Sequence, residues 1–148
     1  MSKFLVLLFL ACILGCRPSS PLVGEWRSSS TVIGETGSID AKFNGDGTFR
    51  QILKFDSPSG GSLTVTDTGK WELDGGNKLV SQLTDTDWSF TGQPDRVQQA
   101  EARFKANKPK ILAAASKKQT ETITWSGRDA FTLKDESGET KKYERTNG

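Results

Sequence analysis

Hydrophobic and polar residues alternate over most of the chain beyond residue 21, and each alternating run stops at Gly, Asn, Asp, Pro or Ser. A period of two puts successive side chains on opposite faces of a β-strand, so each run predicts a strand with one buried face. The predicted strands cover residues 22–29, 38–44, 48–56, 62–74, 78–90, 120–127, 130–135 and 140–146.

Short segments rich in Gly, Asn and Asp separate most of these strands. Asn44-Gly45-Asp46-Gly47 and Asp74-Gly75-Gly76-Asn77 are typical of tight hairpin turns, because Gly and Asn tolerate positive φ. Consecutive hairpins with one buried face favour closure into a barrel, which removes exposed strand edges. The sequence therefore predicts an all-β, eight-stranded up-and-down barrel, whose interior holds packed side chains or one small ligand.

Residues 94–118 break this pattern, because they are rich in Ala, Gln, Glu, Lys and Arg, which favour helix. An apolar stripe at helical spacing is formed by Val97, Ala100 and Phe104. Asn107 and Pro109 interrupt the helical pattern. We therefore expect an insert of one or two helices between strands five and six, with its stripe on the barrel across one open end.

The N-terminus has a different composition. Lys3 precedes an almost unbroken apolar run over residues 4–14, which ends at Ile13-Leu14-Gly15-Cys16. A basic start, a short apolar run and small residues are typical of an export signal, and the run is too short for a membrane span of about 20 residues. We expect a signal peptide at 1–15, a tether at 16–21 of linker composition and one domain at 22–148.

The end of the apolar run resembles the lipobox of bacterial lipoproteins, and Cys12, which follows Phe9-Leu10-Ala11, is a poorer match. The resemblance implies that Cys16 becomes the mature N-terminus and carries acyl chains such as palmitate. Those chains would anchor the protein to a membrane of the bacterial cell envelope. Arg17 rather than an aspartate follows the cysteine, which in that family favours the outer membrane where one is present.

Four motifs of the domain resemble those of lipocalins and of the shorter lipocalin-like domains of bacteria. They are Leu22-Val23-Gly24-Glu25-Trp26, Phe43-Asn44-Gly45-Asp46-Gly47-Thr48-Phe49, Gly69-Lys70-Trp71-Glu72-Leu73 and Tyr143-Glu144-Arg145. The resemblance implies a lipocalin-like barrel in which Arg145 stacks on Trp26 and closes the floor. That pair is expected to be structural, because a guanidinium over an indole is a stabilising cation–π contact.

The composition argues against catalysis. The chain has no histidine, and Cys16 would be the only mature cysteine, which excludes Cys/His zinc sites and His-dependent nucleophiles. A carboxylate-based hydrolase is the remaining alternative, and it would need paired acids such as Asp85 with Asp87 or Asp135 with Glu136. Both pairs have the sequence context of surface and turn residues. We expect no enzyme activity, no metal and no cofactor.

Two sets of residues suggest binding. A cup for a small apolar ligand is predicted from the aromatic residues Phe55, Trp71, Trp88, Phe90 and Trp125, and the alternative is that they fill a barrel that serves as a structural or interaction module without a ligand. The insert also carries a basic cluster of Arg96, Arg103, Lys105, Lys108, Lys110, Lys117 and Lys118. This cluster is either a solvated helix face or a contact for anionic headgroups.

The net charge of the chain bears on whether nucleic acid is a partner. Twenty basic and 18 acidic residues give a formal net charge of +2, which is nearly neutral and predicts no nucleic-acid partner. We expect a monomer that meets the membrane through its acyl chains and binds either the apolar ligand or a partner in the cell envelope.

Overall fold

The computed structural model describes residues 20–32, 35–57 and 60–146. The predicted signal peptide, Cys16 and most of the tether lie outside the described residues. The elements in chain order are β1 (Gly24–Val32), β2 (Glu35–Phe43), β3 (Thr48–Asp56), β4 (Ser62–Asp74), β5 (Lys78–Thr91), α1 (Pro94–Ala115), β6 (Gln119–Trp125), β7 (Ala130–Lys134) and β8 (Thr140–Arg145).

The eight strands form one closed barrel in chain order, and β8 pairs with β1. Every neighbouring pair is antiparallel. This confirms the predicted up-and-down barrel with its helical insert between strands five and six. β1 and β2 extend further than predicted, because they pair continuously from Gly24 with Phe43 to Val32 with Glu35, where polar residues hide the alternation.

The strands on one side of the barrel are longer than those on the other, so the wall is higher on that side. β4 and β5 have 13 and 14 residues, whereas β7 and β8 have 5 and 6. β5 pairs with β6 only over Lys78–Ser81, and β1 pairs with β8 only at Trp26 and Arg27. We call β1–β5 the tall wall and β6–β8 the low wall. The closed end carries the β2–β3, β4–β5 and β6–β7 turns, and the open end carries the β3–β4 loop and the start of α1.

The insert is a single helix of 22 residues, with Pro109 inside it. Pro109 removes one backbone N–H, but Lys105, whose carbonyl loses that partner, is exposed, so water can replace the bond. The helix packs along β5 beside the part that β6 leaves unpaired. Phe104 is its buried anchor and stacks on Trp88, with ring centroids 4.8 Å apart and planes inclined by 9°. Among the residues that the structure describes, no helix has both the length and the apolarity of a membrane span.

The closed end is filled by aromatic side chains. Trp26 and Phe131 are fully buried and meet edge to face with centroids 4.6 Å apart, and Phe131 stacks on Tyr143 at 5.0 Å. The guanidinium of Arg145 lies 4.1 Å from the ring centroid of Trp26, so the contact implied by the family resemblance is present. Arg145 also donates hydrogen bonds to the carbonyl oxygens of Pro21 at 2.9 Å and Val23 at 3.2 Å.

Candidate functional site

The structure separates the five predicted ligand-binding aromatics into two groups at opposite ends of the barrel. Trp71 and Trp125 lie at the closed end. The indole N–H of Trp71 donates to the carbonyl oxygen of Thr48 at 2.9 Å, and its ring meets Phe43 edge to face at 5.6 Å. Trp125 lies against Trp26, with centroids 6.2 Å apart. These two indoles pack the floor, as the alternative interpretation of the aromatics expected.

The other three, Phe55, Trp88 and Phe90, lie at the open end. Phe55 near the end of β3 pairs with Leu63 at the start of β4, and Leu63 pairs with Phe90 near the end of β5. Paired residues in a sheet point to the same face, so the side chains of Phe55, Leu63 and Phe90 form one apolar row across the tall wall. The role of Leu63 was missed from the sequence, because alternation gives the face of a residue but not its cross-strand neighbours.

This row forms one side of a cavity of about 430 Å³, which we call the rim cavity. The first turns of α1 supply the opposite side through Val97 and Ala100, and Arg96 stands at the margin. The start of β4 is joined to the end of β5 at this edge of the cavity, because Ser62 donates its backbone N–H to the hydroxyl of Thr91 at 2.9 Å. A cavity of this size falls in the usual range for small-molecule sites, roughly 300–1,000 Å³.

A second cavity of about 360 Å³ adjoins the first and follows the helix, and we call it the helix groove. It shares Phe90, Arg96 and Ala100 with the rim cavity, and it is continued by Trp88, Phe104, Ile111 and the polar Gln99, Arg103 and Asn107. Together the two cavities form an elongated apolar site between β5 and α1. The expected position of the apolar stripe across the open end holds for its first turns, whereas Phe104 lies further along β5.

A chain of hydrogen bonds orients Trp88 in this site. Thr86 is 2% exposed, donates its hydroxyl to a carboxylate oxygen of Asp67 at 2.6 Å, and accepts the indole N–H of Trp88 at 3.1 Å. Burial raises the pKa of Asp67, and the hydrogen bond from Thr86 opposes that shift only in part. The indole is thereby held with its face against Phe104 at the side of the helix groove.

The margin of the site is positively charged. Arg96 and Arg103 are seven residues apart, so both lie on the same side of the helix beside the groove. None of the ion pairs found in the described part of the chain involves either of them. Lys108, in contrast, is held by Asp85 at 3.0 Å. The basic cluster predicted from the sequence is therefore divided, and only two of its members face the apolar site.

The acidic pairs considered for hydrolysis line neither cavity of the apolar site. Asp85 pairs with Lys108, whose hydrogen bond lowers the pKa of Asp85, and Asp87 is exposed on β5. Asp135 caps the β7–β8 turn, where the hydroxyl of Ser137 lowers its pKa. Within residues 20–32, 35–57 and 60–146, no three acidic or cysteine side chains come together as a metal site would require.

A scan against protein-family models finds none that matches the chain, and a search of curated proteins finds no match either, so the functional argument depends on the geometry described above.

Proposed function

We propose that this protein is a non-catalytic lipoprotein of the bacterial cell envelope that binds one small apolar ligand at the open end of its barrel. The observation that carries the proposal is the elongated apolar site between β5 and α1, formed by the rim cavity and the helix groove. Phe55, Leu63 and Phe90 form one side of it, and Val97 and Ala100 form the other.

The shape and charge of the site narrow the ligand class. An elongated apolar site suits an acyl or alkyl chain, since each buried methylene contributes about 0.8 kcal/mol. Arg96 and Arg103 lie at its margin without a carboxylate partner among the described residues, and guanidinium groups bind carboxylates and phosphates in bidentate fashion. We therefore expect a single-chain amphiphile with an anionic headgroup.

Calorimetric titration with dodecanoate below its micelle concentration tests this proposal. The chain from Ser20 onward is suitable, because its core runs from Leu22 to Tyr143 inside the described residues. Ala100→Trp places an indole where both cavities meet and is expected to weaken binding about tenfold or more. Ala102→Trp is the matched control, because Ala102 is exposed and lines neither cavity.

Dodecyltrimethylammonium, which has the same chain and the opposite charge, is expected to bind more weakly than dodecanoate. Replacing Arg96 and Arg103 together by Ala should remove that preference. Absence of dodecanoate binding, or equal binding by the Ala100→Trp and Ala102→Trp proteins, would favour the alternative function, an interaction module whose barrel holds no ligand. The aromatic floor is the observation that keeps this second candidate open.

The anchoring part of the proposal rests on Ile13-Leu14-Gly15-Cys16 and has its own test. Cells that express the full chain are fed a labelled palmitate analogue, and the protein is then isolated from the membrane fraction. Cys16→Ser should abolish the label, while Cys12→Ser should retain it. Label that persists in Cys16→Ser would refute lipidation at that residue.

A further inference from the structure

A third cavity, of about 300 Å³, lies inside the barrel between the aromatic floor and the top of the low wall. It shares no lining residue with the rim cavity or the helix groove. Its tall-wall side includes Leu53 and Leu79, and its low-wall side includes Glu121 and Tyr143. We call it the interior cavity, and it is at the small end of the range for ligand sites.

The interior cavity is lined by Tyr143, a buried residue whose hydroxyl has no hydrogen-bond partner among the described residues. Tyr143 is 4% exposed and its ring is held against Phe131, yet its hydroxyl makes no hydrogen bond to any described residue. Every side-chain nitrogen or oxygen that is fully closed off from solvent has a partner in this part of the chain, so the hydroxyl must open onto the cavity. A hydroxyl that opens onto a cavity and has no partner in the described part of the protein is available to bind a ligand there.

A carboxylate faces the same space. Glu121 is half-buried on β6 opposite Leu79 of β5, and it lines the same cavity as Tyr143. Its side chain also has no hydrogen-bond partner among the residues described. Burial raises the pKa of Glu121, the charge of Lys141 opposes this, and the charge of Asp135 adds to it. Burial first, and then the charge of Glu121, raise the pKa of Tyr143 well above its usual range, so the phenol stays protonated.

The remaining charges around the cavity leave an excess of negative charge. Lys141 lines it and lies 3.7 Å from Glu139, which stands at the opening above the low wall. Two carboxylates and one ammonium group therefore face the cavity, together with the amide of Gln51 and the hydroxyl of Ser81, neither of which has a hydrogen-bond partner among the described residues. This combination favours a ligand that brings positive charge and hydrogen-bond donors.

We propose that the interior cavity is a second binding site, which takes a compact organic ammonium ion. Glu121 and the hydroxyl of Tyr143 accept hydrogen bonds from the ammonium group, and Leu79 and Leu133 contact its apolar body. The ligand enters over the low wall, where β6–β8 are short. This site differs in charge and position from the anionic-amphiphile site at the open end, and it does not depend on that function.

The test uses the full chain in a non-ionic detergent and phenylethylammonium as the probe, with phenylethanol as its neutral analogue. Calorimetry is expected to show binding of the ammonium ion and none of the alcohol. Glu121→Gln and Tyr143→Phe preserve shape and are expected to weaken binding about tenfold or more each. Glu144→Gln, on the exposed outer face of β8, is the matched control and should bind like the unaltered protein.

Three results would overturn the proposal. The first is no binding of phenylethylammonium at millimolar concentration, and the second is equal binding of the ion and the alcohol by the unaltered chain, a comparison that needs no variant. The third is loss of binding in Ala100→Trp, which blocks the open-end site and should leave the interior cavity intact. Loss of dodecanoate binding alone would overturn the proposed function and not this inference.

Discussion

Replacing Arg145 by Ala should destabilise the barrel by about 2–3 kcal/mol, because it removes a cation–π contact, two hydrogen bonds and a partly exposed ion pair with Asp129 at the closed end. The guanidinium lies 4.1 Å from the centroid of the fully buried Trp26, and it donates to the carbonyl oxygens of Pro21 and Val23. A cation–π contact contributes about 0.5–2 kcal/mol, and a hydrogen bond to a charged group about 1.5–3 kcal/mol. We take the lower part of these ranges, since the Pro21 bond is exposed and water can replace it.

Thermal unfolding followed by circular dichroism measures this effect. For a domain of this size about 4 °C of Tm corresponds to 1 kcal/mol, so Arg145→Ala should lower Tm by about 10 °C. Arg27→Ala is the control, because Arg27 neighbours Trp26 but points outward and makes an exposed ion pair with Asp40, which contributes about 1 kcal/mol at most. Arg145→Lys should fall between the two, because lysine keeps the charge and loses the planar fork.

The reasoning would be refuted if Arg145→Ala and Arg27→Ala lowered Tm equally. The tryptophan emission, which sums four indoles, should also shift to longer wavelength in Arg145→Ala and not in Arg27→Ala, because the ring of Trp26 loses the guanidinium that covers it.

Three further changes have defined outcomes. Phe104→Ala removes the stack on Trp88 and should speed tryptic cleavage within α1 while the barrel keeps its β-type circular dichroism; unchanged cleavage would show that the stack does not hold the helix. Asp67→Asn should raise Tm at pH 7, because burial raises the folded-state pKa above the unfolded value and the ionised form therefore disfavours folding. That gain in Tm should vanish at pH values below about 3.9, the pKa of an aspartate in the unfolded chain. A lower Tm for Asp67→Asn than for the unaltered protein at pH 7 would contradict the unfavourable effect of the ionised carboxylate on folding. Gly69→Ala should cost about 1–3 kcal/mol in chemical denaturation, because a Cβ there overlaps the carbonyl oxygen of Gln82, whereas Gly45→Ala meets no atom within 4 Å and should stay within about 0.5 kcal/mol.

Local pattern predicted the strands, the helix and the closure of the barrel, because these depend on alternation and turn chemistry within short segments. The same pattern assigned Phe55 and Trp71 to the inward face correctly but placed them in one cup. Their heights differ, since Phe55 lies near the β3–β4 loop and Trp71 near the β4–β5 turn, at opposite ends of the barrel. Distance along a strand from its turn, combined with the face, could have separated them.

The polar residues inside the barrel were not predicted from the sequence. Gln51 lies between Phe49 and Leu53 on the inward face of β3, and Asp67 and Glu121 occupy inward positions on their own strands. Alternation analysis follows the apolar members of a face and passes over a polar residue among them. The position of α1 was hidden for another reason, because it depends on β6 being too short to pair with all of β5.

The position of α1 has a consequence for the self-association of this protein. In the described part of the chain, residues 82–91 of β5 have no strand on the side where α1 packs. A helix that detached would uncover a row of amide and carbonyl groups, on which a strand from a neighbouring molecule could add. Self-association by sheet extension should therefore begin at temperatures where α1 has loosened and the barrel is still folded, and Phe104 sets that threshold.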